Sequence, residues 1–239
     1  MCGIVGTAGF QGNDLTIRMA KRILHRGPDG KGFSISGDSR ISIGMTRLAI
    51  IDLISGDQPF YSANKKVHLV FNGEIYNHKN IGSELSNMGI NFSTTCDTEV
   101  ILKGYILWGN NCWKKLQGMF SIALIDEREK SPKLILVRDR VGIKPLYYRY
   151  SGKKLTFSSE IKSIITDSNF SGNINLNALS GYLSMRYVPG EETLFDGIKK
   201  MPPGSVATWE KGEFLIKRWW NPPVPSSFRE TRNRNDACS

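Results

Sequence analysis

The strongest constraint on the fold is a series of short apolar β-runs that are joined by tight turns, with helical patterns between only some of them. Hairpin turn signals separate two pairs of runs, at Ser151-Gly152-Lys153 and at Lys211-Gly212. Hairpins require antiparallel pairing, whereas strictly alternating strands and helices would indicate a parallel sheet. The pattern therefore predicts an α+β fold with antiparallel sheets.

The individual elements follow from hydrophobic periodicity and from capping residues. Val67 begins a β-run that is predicted to stop at Asn72-Gly73, a frequent turn dipeptide. The other predicted strands are 3–10, 31–36, 40–45, 119–126, 133–138, 145–150, 154–158, 205–209 and 213–217. The first predicted helix begins after Asn13 or Asp14 and ends near Arg26. The other predicted helices span 77–88, 97–108, 160–166 and 176–183.

Composition excludes several classes of protein. The 239 residues carry a formal net charge of +10, but the basic residues occur in scattered pairs, so we expect no nucleic-acid binding. No apolar run approaches the ~18–20 residues that cross a bilayer, and residues 1–6 do not resemble a signal peptide. The four cysteines include no Cys-x-x-Cys pair. We therefore expect a cytoplasmic protein with reduced thiols, no membrane partner and no metal site.

Cys2 is the most informative position for the chemistry of this protein. Removal of Met1 would leave a cysteine whose α-amine, with a pKa of about 7.7–8.0, lies on the same Cα as the thiol. Such an amine can activate the nucleophile without a separate histidine. The alternative is an inert cysteine buried in the first strand.

Three further segments have both a catalytic and an ordinary interpretation. Asn72-Gly73 could supply an amide donor and an unhindered N–H for an oxyanion, or could form a simple turn. Arg47, in an apolar stretch, either extends to the surface or binds a carboxylate. Asp97 could bind a substrate or only cap the helix that it begins.

Several separated motifs agree in order and spacing, and together they indicate a family. They are Met1-Cys2-Gly3-Ile4-Val5-Gly6, His25-Arg26-Gly27-Pro28-Asp29-Gly30, Arg47-Leu48-Ala49-Ile50-Ile51-Asp52, Asn72-Gly73-Glu74-Ile75-Tyr76-Asn77-His78, Cys96-Asp97-Thr98-Glu99-Val100 and Ser159-Glu160-Ile161-Lys162. Over about residues 1–220, the sequence resembles the glutaminase domain of class II glutamine amidotransferases, specifically that of glutamine-hydrolysing asparagine synthetases. We expect residues 221–239 to be a flexible basic tail or the remnant of an interdomain linker.

The resemblance implies an N-terminal-nucleophile hydrolase fold, a four-layer αββα sandwich of two antiparallel sheets. It implies that Cys2 attacks the side-chain amide of L-glutamine while Asn72 and Gly73 stabilise the oxyanion. Arg47 would bind the α-carboxylate and Asp97 the α-ammonium. The remaining pocket residues that the resemblance implies are Glu74 and the backbone around Leu48, Ile50 and Ile51.

The 239 residues contain no Ser-Gly-Gly-x-Asp-Ser loop, the ATP pyrophosphate-binding motif of asparagine synthetases. We therefore expect a glutaminase without cofactor, with ATP and Mg²⁺ needed only by a synthetase domain or partner chain. The alternatives are a catalytically silent module that binds glutamine or a partner, or the glutaminase subunit of another amidotransferase. Arg138-Asp139-Arg140 and residues 186–204 are predicted to face the synthetase.

Overall fold

The computed structural model describes residues 2–48 and 57–223, and these ranges form two six-stranded antiparallel sheets. In chain order the strands are β1 (Gly3–Ala8), β2 (Gly30–Ile35), β3 (Ile41–Arg47), β4 (Phe60–Tyr61), β5 (Val67–Ile75), β6 (Gly118–Asp126), β7 (Lys133–Arg138), β8 (Tyr147–Ser151), β9 (Lys154–Ser158), β10 (Lys199–Lys200), β11 (Ser205–Glu210) and β12 (Glu213–Arg218). The order is β10-β8-β9-β1-β3-β2 in the first sheet and β12-β11-β7-β6-β5-β4 in the second.

Helices cover the outer face of each sheet. They are α1 (Asp14–Lys21), α2 (His78–Asn87), α3 (Asp97–Trp108), α4 (Cys112–Lys115), α5 (Ile161–Ile164) and α6 (Leu176–Met185). Strand β6 shows how the layers arise, because alternate side chains of a strand point to opposite faces. Phe120 and Ile122 pack under α2 and α3, whereas Ala123 and Ile125 pack between the two sheets. The predicted four-layer α+β architecture is confirmed.

The predicted end of the strand that begins at Val67 is wrong. Strand β5 continues through Asn72 and Gly73 to Ile75, because β6 supplies a partner for every residue, with Asn72 opposite Ser121 and Gly73 opposite Phe120. A Cβ on Gly73 would lie 2.1 Å from the carbonyl oxygen of Met119. Glycine is therefore present for close strand packing and not for a turn.

The first predicted helix is also shorter than expected. Helix α1 ends at Lys21, and a separate 3₁₀ turn covers Leu24–Arg26. The turn leads to Pro28, which bridges to Arg47 at the end of β3. Arg26 is thereby placed beside the start of β1.

The first two residues of Arg138-Asp139-Arg140 bind groups within the domain, and the contact of this segment with a synthetase stays a prediction. Asp139 is fully buried and accepts hydrogen bonds from the N–H groups of Phe120, Ile143 and Lys144. The guanidinium of Arg138 donates to the backbone carbonyl of Lys144 at 2.9 Å and to two further carbonyls. Because their polar groups are satisfied internally, Arg138 and Asp139 stabilise a loop.

No helix in residues 2–48 and 57–223 is long and apolar enough to cross a membrane. The predicted tail lies largely outside the described residues, since the description ends at residue 223.

Candidate active site

Cys2 lies immediately before β1, at the end of the first sheet where β3 finishes. The pairing of Gly3 with Thr46 brings Cys2 next to Leu48, the residue that follows β3. The backbone N–H of Leu48 donates to Cys2 Sγ at 3.4 Å, and the thiol is 3.7 Å from the Leu48 carbonyl oxygen. The half-buried sulfur is thus held against the backbone of Leu48.

Asn72 faces the sheet that carries Cys2. On β5, Val70 packs between the sheets and the His68 ring bonds Ser34 of β2 at 2.7 Å, so even-numbered positions point toward the first sheet. Cys2 packs against the same intersheet cluster as Val70, two residues before Asn72. Asn72 is 2% exposed, and its Nδ2 has no acceptor among the residues that the structure describes. A buried donor without an acceptor is costly, which makes Asn72 a candidate ligand-binding group.

Gly73 directs its N–H to an open edge of the second sheet. Strand β4 pairs with Leu69 and His68, so among residues 2–48 and 57–223 no strand neighbours the end of β5 on that side. The N–H of Phe71 binds the Gln58 side chain at 2.6 Å, and the N–H of Ile75 binds Asp97 Oδ2 at 3.0 Å. Antiparallel strands alternate their N–H directions, so the N–H of Gly73 points to the same edge, between these two acceptors.

Asp97 begins helix α3, as predicted, and its carboxylate accepts the hydrogen bond from Ile75 at this edge. Burial raises the pKa of its carboxyl above the ordinary value, although the hydrogen bond from Ile75 and the charge of His78 act in the opposite direction. The neighbouring carboxylate of Glu74 raises the pKa further. The side chain of Asp97 is therefore a partly desolvated anion, for which an ammonium group would be a favourable partner.

Glu99 stabilises the loop that precedes Asp97, a role that its motif did not indicate. Its carboxylate is 1% exposed and accepts hydrogen bonds from the backbone and hydroxyl groups of both Ser93 and Thr94. Lys103 pairs with it one helical turn later. Although burial opposes ionisation, these donors lower the pKa of Glu99 to about 2. A carboxylate three residues into a helix is the available signal for such a role.

Arg47 lies at the end of β3, beside Leu48. Its side chain is 13% exposed, and Nη1 donates to Asp57 Oδ1 at 2.7 Å. The Asp57 carboxylate, 91% exposed, shows that the guanidinium can bind a carboxylate from the solvent side. Two predicted pocket residues, Ile50 and Ile51, lie outside the described residues, and Glu74 is exposed at the end of β5.

The chain is similar to several known proteins. The family model described as a glutamine amidotransferase domain matches residues 1–220. The chain belongs to the glutamine amidotransferase family. Glutamine-hydrolysing asparagine synthetase 3 of Bacillus subtilis is 34% identical to this chain over 92% of its residues, and synthetase 1 of the same organism is 36% identical over 99%. A putative asparagine synthetase of Methanocaldococcus jannaschii is 34% identical over 94% of it.

The amidotransferase domain spans less than half of these relatives. It covers 37% of each Bacillus synthetase and 47% of the Methanocaldococcus protein. A solved structure of glutamine phosphoribosylpyrophosphate amidotransferase from Bacillus subtilis has a TM-score of 0.66 over 91% of this chain and 49% of that chain. At 19% identity, this likeness supports the fold alone. The N-terminal-nucleophile hydrolase fold that the resemblance implied is confirmed.

Proposed function

We propose that this domain hydrolyses the side-chain amide of L-glutamine through a thioester on Cys2. The single observation that carries the proposal is the buried Nδ2 of Asn72, which has no acceptor in the described part of the chain and faces the sheet bearing Cys2. Together with the edge N–H of Gly73 it supplies two donors for a tetrahedral oxyanion. Such donors stabilise the transition state more than the substrate, so they accelerate the reaction.

The steps use groups of this chain and water. The α-amine exposed by loss of Met1 takes the thiol proton, and Cys2 Sγ attacks the amide carbon. The C–N bond breaks as the amine returns the proton to the leaving nitrogen, which departs as ammonia. Water then adds to the thioester, the C–S bond breaks, and glutamate leaves while the thiol is restored.

The charged groups match the two ends of the substrate. Asp97 is proposed to bind the α-ammonium and Arg47 the α-carboxylate, with Glu74 and the backbone of Leu48, Ile50 and Ile51 lining the remainder. The partial desolvation of Asp97 and the solvent-side carboxylate already held by Arg47 support these roles.

The ammonia is proposed to pass to an asparagine synthetase, present as a further domain or as a separate chain. The names of the relatives and their greater length support this acceptor. ATP and Mg²⁺ would serve that synthetase, and we infer no cofactor for this domain. Of the predicted contact surface, Tyr187 is exposed, whereas Val188, Leu194 and Phe195 are half-buried. We propose a cytoplasmic location, where reducing conditions preserve the Cys2 thiol.

The proposal is tested by measuring glutamate and ammonia released from L-glutamine by the purified protein with Met1 removed. A glutamine-mimicking diazo-ketone that alkylates Cys2 distinguishes a catalytic site from a silent glutamine-binding module. Release of glutamate with labelling of Cys2 supports the enzyme. Glutamine binding without labelling or turnover would instead support the silent module.

Arg47→Ala is expected to raise KM for glutamine by roughly ten- to a hundredfold, because a charge-assisted hydrogen-bonding pair contributes about 1.5–3 kcal/mol. The value of kcat should change little, since the contact is made in both the ground and transition states. Steady-state kinetics measure both constants. Asp57→Asn is the matched control and should not raise KM. An unchanged KM in Arg47→Ala would remove Arg47 from carboxylate binding.

Asp97 is expected to make glutamine binding sensitive to acid. Its pKa is raised above the ordinary value, so its negative charge is lost as the pH falls through that raised pKa. Since the charged form attracts the substrate ammonium, KM should rise at acid pH. In Asp97→Asn, KM should be high at neutral pH and lack this acid limb. A pH profile in which Asp97→Asn retains the wild-type limb would contradict the assignment.

A further inference from the structure

A cluster of four charged or titratable side chains lies behind Cys2, in motifs to which the proposed mechanism gives no role. We call His25, Arg26, Glu160 and Lys162 the Glu160 cluster. Glu160 Oε1 accepts from Arg26 Nη1 at 3.0 Å and from His25 Nε2 at 2.9 Å. Glu160 Oε2 lies 3.1 Å from Lys162 Nζ. One carboxylate therefore connects the first 3₁₀ turn to the segment that precedes α5.

Arg26 links this cluster to the nucleophile. Its Nε donates to the backbone carbonyl oxygen of Cys2 at 2.9 Å, while Nη1 binds Glu160. The Arg26 side chain is 9% exposed. A Cβ on Gly3 would lie 3.1 Å from Arg26 Cδ and 2.7 Å from Ile23 Cδ1, so the glycine after Cys2 leaves room for the arginine.

The residue beside Glu160 anchors the same stretch of main chain. The Ser159 N–H donates to the Ile4 carbonyl at 2.9 Å, and the Ile4 N–H donates to Ser159 Oγ at 3.0 Å. Ser158 pairs with Val5 in the sheet and its hydroxyl accepts from the Glu160 N–H. Residues 158–160 therefore bind β1 at Ile4 and Val5, and the Arg26–Glu160 pair adds a contact to the main chain of Cys2.

The contact of Arg26 with Cys2 is important because Cys2 lies before Gly3, the first residue of β1 that pairs with another strand. Chain ends fray unless they are tied down. After removal of Met1, the orientation of Cys2 depends on its carbonyl and on the contact of its sulfur with Leu48. Burial opposes ionisation of Glu160, but donors on Arg26, His25 and Lys162 lower its pKa, so the carboxylate that holds Arg26 is charged.

We propose that Glu160 is a positioning residue for the nucleophile: by binding Arg26 it fixes the main chain of Cys2 and so aims Sγ at the substrate amide. This inference rests on the proposed glutaminase function. A displacement of about 1 Å at a reacting atom can lower the rate by up to 10²-fold. Glu160 lies outside the groups assigned to glutamine binding, so its loss acts on the chemical step.

Glu160→Ala is expected to lower kcat at least tenfold while KM for glutamine stays within about twofold. Glu160→Gln keeps an acceptor for Arg26 and should recover part of the lost kcat. Glu84→Ala is the matched control, because Glu84 forms an ion pair with Lys115 at 2.6 Å on helix α2, which packs on the second sheet. Its kinetics should equal those of the wild type. A wild-type kcat in Glu160→Ala would overturn the proposal, as would a kcat loss that only follows the unfolded fraction in thermal melts.

Hydrogen exchange of the N-terminal peptide separates this proposal from the glutaminase itself. Faster exchange at β1 in Glu160→Ala, with the rest of the chain unchanged, supports the anchoring even if the wild type hydrolyses no glutamine, in which case only the proposed function fails. Unchanged exchange at β1 would overturn the anchoring even in an active enzyme. If Glu160→Ala does not fold, Glu160→Gln carries both measurements and should show smaller changes in the same directions.

Discussion

Cys2→Ala is expected to abolish glutamine hydrolysis, with a fall in kcat on the order of 10⁶-fold, the scale seen when a covalent nucleophile is removed. No other described group is placed to form the thioester, since Cys112 is fully buried and Cys96 lies beside Thr94 before α3. The fold should survive, because the polar contacts of the sulfur are two long, weak ones to the backbone of Leu48. Glutamate release and thermal melting measure the two effects.

Two further protein preparations test this prediction. Cys96→Ser removes another partly exposed thiol and should retain activity, which separates the nucleophile from general thiol chemistry. Protein in which mass spectrometry still detects Met1 should be nearly inactive, because the nitrogen of Cys2 is then an amide and cannot serve as the base. Substantial turnover in Cys2→Ala would rule out the thioester mechanism.

Asn72→Ala is expected to lower kcat by roughly 10²–10³-fold, or about 3–4 kcal/mol of barrier, as for the loss of one oxyanion donor. KM should change little, because the donor acts mainly on the transition state. Stability should behave differently from activity. Since Asn72 Nδ2 has no acceptor among the described residues, its removal breaks no hydrogen bond there, and the free energy of unfolding should fall by no more than about 1 kcal/mol.

Kinetics and denaturant unfolding of the same preparation test this prediction. Asn72→Asp is the informative companion, because a carboxylate near the forming oxyanion would repel it, so we expect lower activity than in Asn72→Ala. A large loss of stability together with normal kcat would show that Asn72 serves the fold, and would leave the oxyanion to other groups.

Local sequence signals determined the elements whose ends depend on neighbouring residues. Helix α3 spans 97–108 as predicted, because an acidic first turn and Gly109 define its ends. The two hairpins at Gly152 and Gly212 follow from turn residues that act within a few positions. Ordered motifs likewise predicted the two-sheet fold, while their assignment of Cys2 and Asp97 to the site stays a prediction.

Only the tertiary structure decided features that depend on distant pairing. Asn72-Gly73 has the local chemistry of a turn, yet β6 pairs with it through Ser121 and Phe120, and burial of that ladder outweighs the local preference. Arg26 and Glu160 are 134 positions apart in sequence and meet behind Cys2. Local propensity contains no information about such contacts, because their energy arises only when strands from opposite ends of the domain pack together.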